Sequence, residues 1–119
     1  MAEFSFSTAL TANQQNVNPI ASAFWQWETP SYPYLAKLVA RATGVSSRLS
    51  IFNGPVNIKQ KSIIQSGGTA GVTPSELNTT PQYWQGDANQ RIGIILDEVG
   101  GLTPTVDATL TIEPDYSRL

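Results

Sequence analysis

The sequence predicts an all-β domain, either a sandwich of two sheets or a small jelly roll. Stretches that alternate apolar and polar residues recur along the whole chain, and a period of two is typical of half-buried strands. Gly, Pro and Asn residues that favour turns separate these stretches, and no strand–helix–strand alternation is visible. The 119 residues are enough for one domain with one hydrophobic core.

The N-terminal third holds two predicted strands. Residues 4–10 (FSFSTAL) alternate apolar residues with serine, which predicts a half-buried strand. Residues 23–29 (AFWQWET) place Ala23, Trp25 and Trp27 on one face of a second strand.

Residues 33–42 fit two structures. Several of their apolar residues recur at helical spacing, and Gly44 would end such a helix. As a strand, the segment turns Lys37 and Arg41 to one face and Tyr34 with the alternate small or apolar residues to the other. We favour the strand, because the neighbouring segments are predicted strands.

A hairpin is predicted in the middle of the chain. Residues 48–52 (RLSIF) lead into Asn53–Gly54, a dipeptide that tolerates the positive φ of a tight turn. Pro55 lacks an amide donor, so the returning strand is expected within residues 56–64 (VNIKQKSII).

The two last predicted strands are the most regular. Residues 91–99 (RIGIILDEV) and 105–114 (TVDATLTIEP) both alternate, and Gly100–Gly101 and Pro104 mark the bend between them.

A long irregular segment is predicted at residues 66–90. Connections of this length are uncommon in compact domains and often functional. Within it, residues 73–76 (TPSE) have the form of a capping box and predict a short helical turn, while Tyr83 and Trp84 are expected to attach the loop to the body. An alternative for residues 1–16 is an extended arm rather than part of the sheets.

The composition is poor in charge and rich in neutral polar groups. Charged residues make up 13% of the chain, whereas Ser, Thr, Asn and Gln supply 38 of the 119 residues. Such a surface is easy to desolvate, which suits a protein that functions inside an assembly. The net charge of −2 and the absence of Lys and Arg before residue 37 argue against a nucleic-acid partner. No apolar run is long enough to span a membrane, so no membrane partner is expected.

The residue types argue against catalysis, metals and cofactors. The chain has no Cys and no His, which removes thiol nucleophiles, imidazole bases and nearly all zinc, copper and haem sites. Residues 66–71 (SGGTAG) lack the Lys of a phosphate-binding loop, and residues 86–91 (GDANQR) lack the acid that closes a calcium loop. The adjacent carboxylates Asp97 and Glu98 would point to opposite faces of a strand, and we expect them to be solvated charges. We therefore predict no enzyme, no catalytic residues and no cofactor.

Aromatic residues are concentrated in residues 23–34, which hold five of the eleven aromatic side chains. A simple sandwich buries one face of an outer strand, so some of these rings would be left exposed. A loop, a sugar or another subunit could cover them, and aromatic enrichment favours a subunit contact. The predicted interface residues are Phe24, Trp25, Trp27, Tyr32, Tyr34, Tyr83 and Trp84.

Several patterns together resemble small jelly-roll structural proteins of bacteriophages. The resemblance covers most of residues 16–114 and is carried by Gly86, Asp87 and Ile92, followed by the strand at 105–114. It implies a jelly-roll sandwich of about seven to eight strands and a virion role as a coat, decoration or vertex subunit. The implied partners are copies of the same chain or capsid proteins. A carbohydrate-binding or adhesin-like module with exposed Trp and Tyr rings is the alternative.

Overall fold

The computed structural model describes residues 2–20, 29–74 and 79–118. These residues form seven strands and no helix. The strands are β1 (Ala2–Ala9), β2 (Tyr34–Ala42), β3 (Ser47–Asn53), β4 (Val56–Ile63), β5 (Gln82–Gly86), β6 (Ile92–Glu98) and β7 (Thr105–Pro114). The predicted all-β class is therefore confirmed.

Two antiparallel sheets contain all seven strands. The four-stranded sheet has the order β1-β7-β2-β5, and the three-stranded sheet has the order β4-β3-β6. Strand β7 is central to the first sheet because it pairs with β1 on one side and with β2 on the other. Strand β3 has the same place in the second sheet, between β4 and β6.

Both sheets contribute to one hydrophobic core. Alternate residues of β2 and β7 point into the core. Leu38 and Leu110, for example, lie opposite each other on these two strands and are both core residues. Alternate residues of β3 and β6 do the same, as in the pair of Ile51 and Ile94. The exposed fractions of these four side chains are 0%. Period-two alternation therefore gives each strand one apolar face, and the core lies where these faces meet.

Strand β2 resolves the ambiguity at residues 33–42 in favour of the strand. Residues Tyr34, Ala36, Leu38 and Ala42 are buried and alternate along it. It pairs with β7 in a continuous register of nine residues and with β5 on its other side. Pairing with these two strands outweighs the local preference for a helix that the spacing of apolar residues indicated.

The N-terminal segment joins both sheets. Strand β1 pairs with β7 over eight consecutive residues, after which Leu10 is buried and donates its amide to Pro104 O at 2.8 Å. The chain then crosses to the three-stranded sheet, where Val17 and Leu96 exchange two backbone hydrogen bonds of 2.8 and 3.0 Å. Residues 2–17 are thus paired to the body of the same chain, and the alternative of an extended arm is wrong for them.

The predicted loop at residues 66–90 needs correction, because β5 lies within it. Five residues pair with β2 and turn Trp84 inward and Tyr83 outward. The strand has only five residues, so its alternation is too short to be recognised in the sequence. It forms because its backbone pairs with the edge of β2 that β7 does not occupy. The second half of the predicted helical turn at 73–76 and all but the last residue of the predicted strand at 23–29 lie outside the described residues.

The Asn53–Gly54 turn is confirmed and joins β3 to β4. Asn53 pairs with Val56 across it, and Gly54 has a φ of 60°, a left-handed conformation that suits glycine. Strand β4 is irregular, since its register with β3 shifts twice and Lys61 has a φ of 46°. These shifts are β-bulges, which twist an edge strand away from flat pairing.

Gly86 should be the most sensitive glycine of the fold. A Cβ there would lie 1.9 Å from Cζ of the buried Tyr34 ring, so Gly86→Ala should destabilise the protein by about 3 kcal/mol or more. Gly44→Ala is the matched control, because its Cβ would meet Pro104 Cβ at an ordinary 3.7 Å, and its effect should stay within about 0.5 kcal/mol. Urea denaturation measures the stability of both variants. Equal losses of stability would contradict the conclusion that the Tyr34 ring requires glycine at position 86.

Candidate functional site

The seven aromatic residues of the predicted interface do not share one environment. Tyr83 is 68% exposed, and Tyr32 is half-buried against the core. Tyr34 is fully buried and Trp84 is 7% exposed. The other three lie outside the described residues: Phe24, Trp25 and Trp27.

Tyr34 and Trp84 are core residues, which corrects the expectation that they present a surface. Tyr34 points inward from β2, and its hydroxyl donates to Asn53 Oδ1 on β3 at 3.0 Å. Burial raises the pKa of Tyr34 to about 12, so the hydroxyl remains a donor at neutral pH. The Asn53 amide in turn donates to Gln85 O at 3.3 Å. This ring therefore links the two sheets.

Tyr83 instead borders an open groove of about 520 Å³ on the outer face of the four-stranded sheet. Register brings the lining together, because Lys37 lies opposite Tyr83 on one side and Thr111 on the other. Leu35 lies opposite Gln85 in the adjacent row. The outward-facing lining residues are Leu35, Lys37, Tyr83, Gln85, Thr111 and Glu113.

The size and the lining of the groove would allow a small molecule to bind there. Its volume lies in the range of small-molecule sites, about 300–1,000 Å³. One exposed aromatic ring and an aliphatic floor offer a stacking face, while hydroxyl, amide, carboxylate and ammonium groups offer hydrogen bonds. Tyr83 is exposed, and its neighbours in the groove come from two other strands, so no local pattern in the sequence predicted them.

The other half of this outer face is engaged by residues 65–71. Arg41 Nε donates to Ser66 O at 2.9 Å, and the Gly71 amide donates to both oxygens of Asp107 at 3.2 Å. Asp107 is only 4% exposed. A backbone segment therefore covers this carboxylate, which has a structural role.

Glu98 is a buried carboxylate. The expectation of a solvated charge is wrong, because its exposed fraction is 0%. Its oxygens accept a short hydrogen bond from Ser46 Oγ and bonds from the amides of Asn13, Gly100 and Leu102 at 3.3, 2.9 and 3.1 Å. The Ser46 hydroxyl, followed by these amides, holds the pKa of Glu98 below its ordinary value of 4.5 against the opposing effect of burial.

Asp97 was also expected to be solvated and is 1% exposed. It accepts the amide of Asn16 at 2.9 Å. Asn13 and Asn16 have φ values of 58° and 57°, a left-handed conformation that Asn tolerates better than most residues. A cluster of Asn and Gln before residue 17 was the only sequence signal for this arrangement, and it is a weak one.

A second polar cluster fixes the C-terminal residues. Arg118 forms ion pairs with Asp115 at 2.5 Å and with Asp87 at 3.1 Å, and it also donates to Gly86 O at 2.9 Å. The Ser117 hydroxyl and the Arg118 guanidinium hold the pKa of Asp115 below its ordinary value. Asp87 thus lies in the turn before β6 and contacts the end of the chain.

Within residues 2–20, 29–74 and 79–118, no group of three or more carboxylates is arranged to hold a metal ion. In the same part of the chain, no helix has the length and hydropathy needed to cross a membrane.

No protein-family model, no curated protein and no solved structure matches this chain.

The buried Glu98 should make stability depend on acid pH. Because folding lowers the pKa of this group, its contribution is complete above about pH 4.5 and is lost as the pH falls through the lower pKa of the folded state. Glu98→Gln should therefore lower the urea midpoint at pH 7 and flatten its decline between neutral and acid pH. Glu113→Gln, on the exposed outer face, is the matched control, and its urea midpoint should depend on pH as that of the wild type does. An unchanged profile in Glu98→Gln would contradict this role.

Proposed function

We propose that this chain is a non-catalytic structural subunit of a bacteriophage virion: a coat, decoration or vertex protein. It acts by assembling with copies of itself or with other capsid proteins, in the virion and, during assembly, in the host cytoplasm. The observation that carries the proposal is the nested order of the strand pairs.

The pairs run from the outside of the chain to its middle. The first strand pairs with the last (β1 with β7), Val17 pairs with β6, β2 pairs with β5, and β3 pairs with β4. This nested order, together with the additional pairs of β7 with β2 and of β6 with β3, supports the proposal of a jelly-roll topology. In that proposal the isolated bridge between Val17 and Leu96 would stand for an eighth strand.

A jelly-roll fold alone would not distinguish an assembly role from sugar binding, because jelly rolls occur in viral capsid proteins and in lectins. The properties of the surface provide the second part of the argument. Four of the carboxylates are buried in polar contacts: Asp97, Glu98, Asp107 and Asp115. Their burial lowers the surface charge of a chain that is already rich in neutral polar residues, and a weakly charged surface costs less to desolvate in an interface.

Most of the exposed aliphatic side chains among the described residues lie in two parts of the fold. Val45, Val99 and Leu102 lie around the turn that Glu98 organises and are 67%, 46% and 52% exposed. Ile58 and Ile63 on β4 are 40% and 70% exposed. Patches of this kind are typical of surfaces that neighbouring subunits cover.

Purified particles from a phage that encodes the chain should contain it in stoichiometric amounts, and added protein should co-sediment with shells that lack it. Mass spectrometry of gradient-purified virions measures how much of the chain they contain. Sedimentation of the wild type and of the surface variant Leu102→Lys measures binding to shells. A chain that is absent from virions and does not sediment with shells would overturn the proposal. Terminase or portal genes beside its gene would agree with it.

The groove at Tyr83 favours carbohydrate binding as a second candidate. A pyranose presents an apolar face to a tyrosine ring and hydroxyl groups to amide and carboxylate side chains. Of the three Trp residues, Trp84 is buried, and Trp25 and Trp27 lie outside the described residues.

For this alternative, a glycan panel should shift the NMR signals of the groove residues, and Tyr83→Ala should lower the affinity at least tenfold. Tyr116→Ala is the matched control, since Tyr116 is 79% exposed outside the groove. Equal effects of the two variants, or no binding by the wild type, would exclude the groove as a sugar site.

A further inference from the structure

The turn dipeptide Asn53–Gly54 has a chemical reactivity that is separate from its role in the hairpin. The backbone nitrogen of a residue that follows asparagine can attack the side-chain amide, and glycine allows this attack most readily because it has no Cβ to obstruct it. Of the seven Asn residues in the chain, Asn53 alone precedes Gly. The sequence therefore contains one dipeptide of the kind that favours spontaneous deamidation.

Deamidation at this dipeptide needs no reactant other than the two residues and water. Gly54 N forms a bond to Asn53 Cγ, and the bond from Cγ to Nδ2 breaks. Nδ2 leaves as ammonia, with the proton that Gly54 N gives up, and a cyclic succinimide remains. Water then opens this ring at one of its two carbonyls, which leaves either aspartate or isoaspartate at position 53.

The fold restrains both reacting groups through hydrogen bonds. Asn53 is buried, its Oδ1 accepts the Tyr34 hydroxyl at 3.0 Å, and its Nδ2 donates to Gln85 O at 3.3 Å. The attacking atom is restrained as well, since Gly54 N donates to Arg91 O at 2.7 Å. The attack therefore requires that the Asn53 side chain leave its two partners and that Gly54 N leave its acceptor.

The backbone at position 53 is also held from two sides. Asn53 lies in β3, opposite Val56 of β4 and Ile92 of β6. The succinimide ring contains Cα, Cβ and Gly54 N, so the peptide bond after Asn53 has to turn from its extended direction toward Cβ. Ring closure is thus incompatible with the paired end of the hairpin and requires that this end open.

We propose that Asn53 is a deamidation site that the native fold keeps closed and that reacts when the end of the β3–β4 hairpin opens. The modification also destroys the contacts that close the site. Aspartate at position 53 has no amide to donate to Gln85 O and turns a carboxylate oxygen toward that carbonyl in a buried place. Isoaspartate in addition inserts a methylene group into the backbone of a paired strand.

The consequence is that opening becomes irreversible once the chemistry has occurred. An opened hairpin that closes before the attack restores the native contacts of Asn53. A chain that reacts while it is open has lost the link between Asn53 and Gln85, and it closes less readily. Chemical modification of the open state converts a reversible equilibrium into a progressive loss of native protein.

Peptide mass spectrometry of the aged wild-type chain measures the protection. The protein is incubated at mildly alkaline pH, with and without a denaturing concentration of urea, and conversion at Asn53 is followed with time. It should be slower in the folded protein by about a hundredfold or more, because the site is buried and paired. In urea, Gly54→Ala should slow the conversion, since its Cβ obstructs the attack. Equal rates in folded and denatured wild type would overturn the proposal.

Tyr34→Phe tests the hydrogen bond that holds the side chain. The loss of the hydroxyl should raise the rate in the folded protein by about fivefold or more, a ratio equivalent to one hydrogen bond. The rate in urea should equal that of the wild type, because the hydrogen bond is absent there. Tyr83→Phe is the matched control, since Tyr83 is 68% exposed and removes no contact of Asn53. Equal rates in the two folded variants would contradict the role of Tyr34.

Asn53→Asp tests the consequence of the reaction without depending on its rate. It should lower the urea midpoint and reduce the equilibrium constant for folding by about tenfold or more, and failure to fold agrees with the proposal. Asn57→Asp, exposed on β4, introduces the same charge and should keep the midpoint of the wild type. A wild-type midpoint for Asn53→Asp would overturn the claim that the modification destabilises the closed site.

Discussion

The buried carboxylate of Glu98 is the interaction on which much of the architecture depends. It accepts hydrogen bonds from the N-terminal segment at Asn13, from the turn before β3 at Ser46, and from the loop after β6 at Gly100 and Leu102. A buried charge without such donors would be strongly unfavourable. The three chain segments are therefore fixed relative to one another, and the N-terminal segment can cross from the four-stranded sheet to the three-stranded sheet.

A second polar link lies at the opposite end of the three-stranded sheet. The Tyr34 hydroxyl reaches Asn53 across the core, and the ring fits only because residue 86 is glycine. Arg118 closes the same end by binding Tyr34 O and Gly86 O. With one such link at each end, the two sheets are held in a defined relation that apolar packing alone would not specify.

The burial of carboxylates also affects the outer surface. Carboxylates that organise loops are removed from solvent, whereas several aliphatic side chains among the described residues are exposed. The two edge strands also differ in regularity, because the register of β4 with β3 shifts twice whereas that of β1 with β7 is continuous.

The sequence by itself determined the all-β class, most of the strands, and the Asn53–Gly54 turn, because alternation and turn preference are properties of neighbouring residues. Only the tertiary structure decided which rings and carboxylates are buried. Tyr34 and Tyr83 are both aromatic residues near strand ends, but Gly86 makes room for the first, and the register with Lys37 turns the second outward. Glu98 is acidic at the end of a strand, a position that suggested solvent exposure. Its donors come from residues 13 and 46, which are remote in sequence, so its burial depends on contacts that no local pattern records.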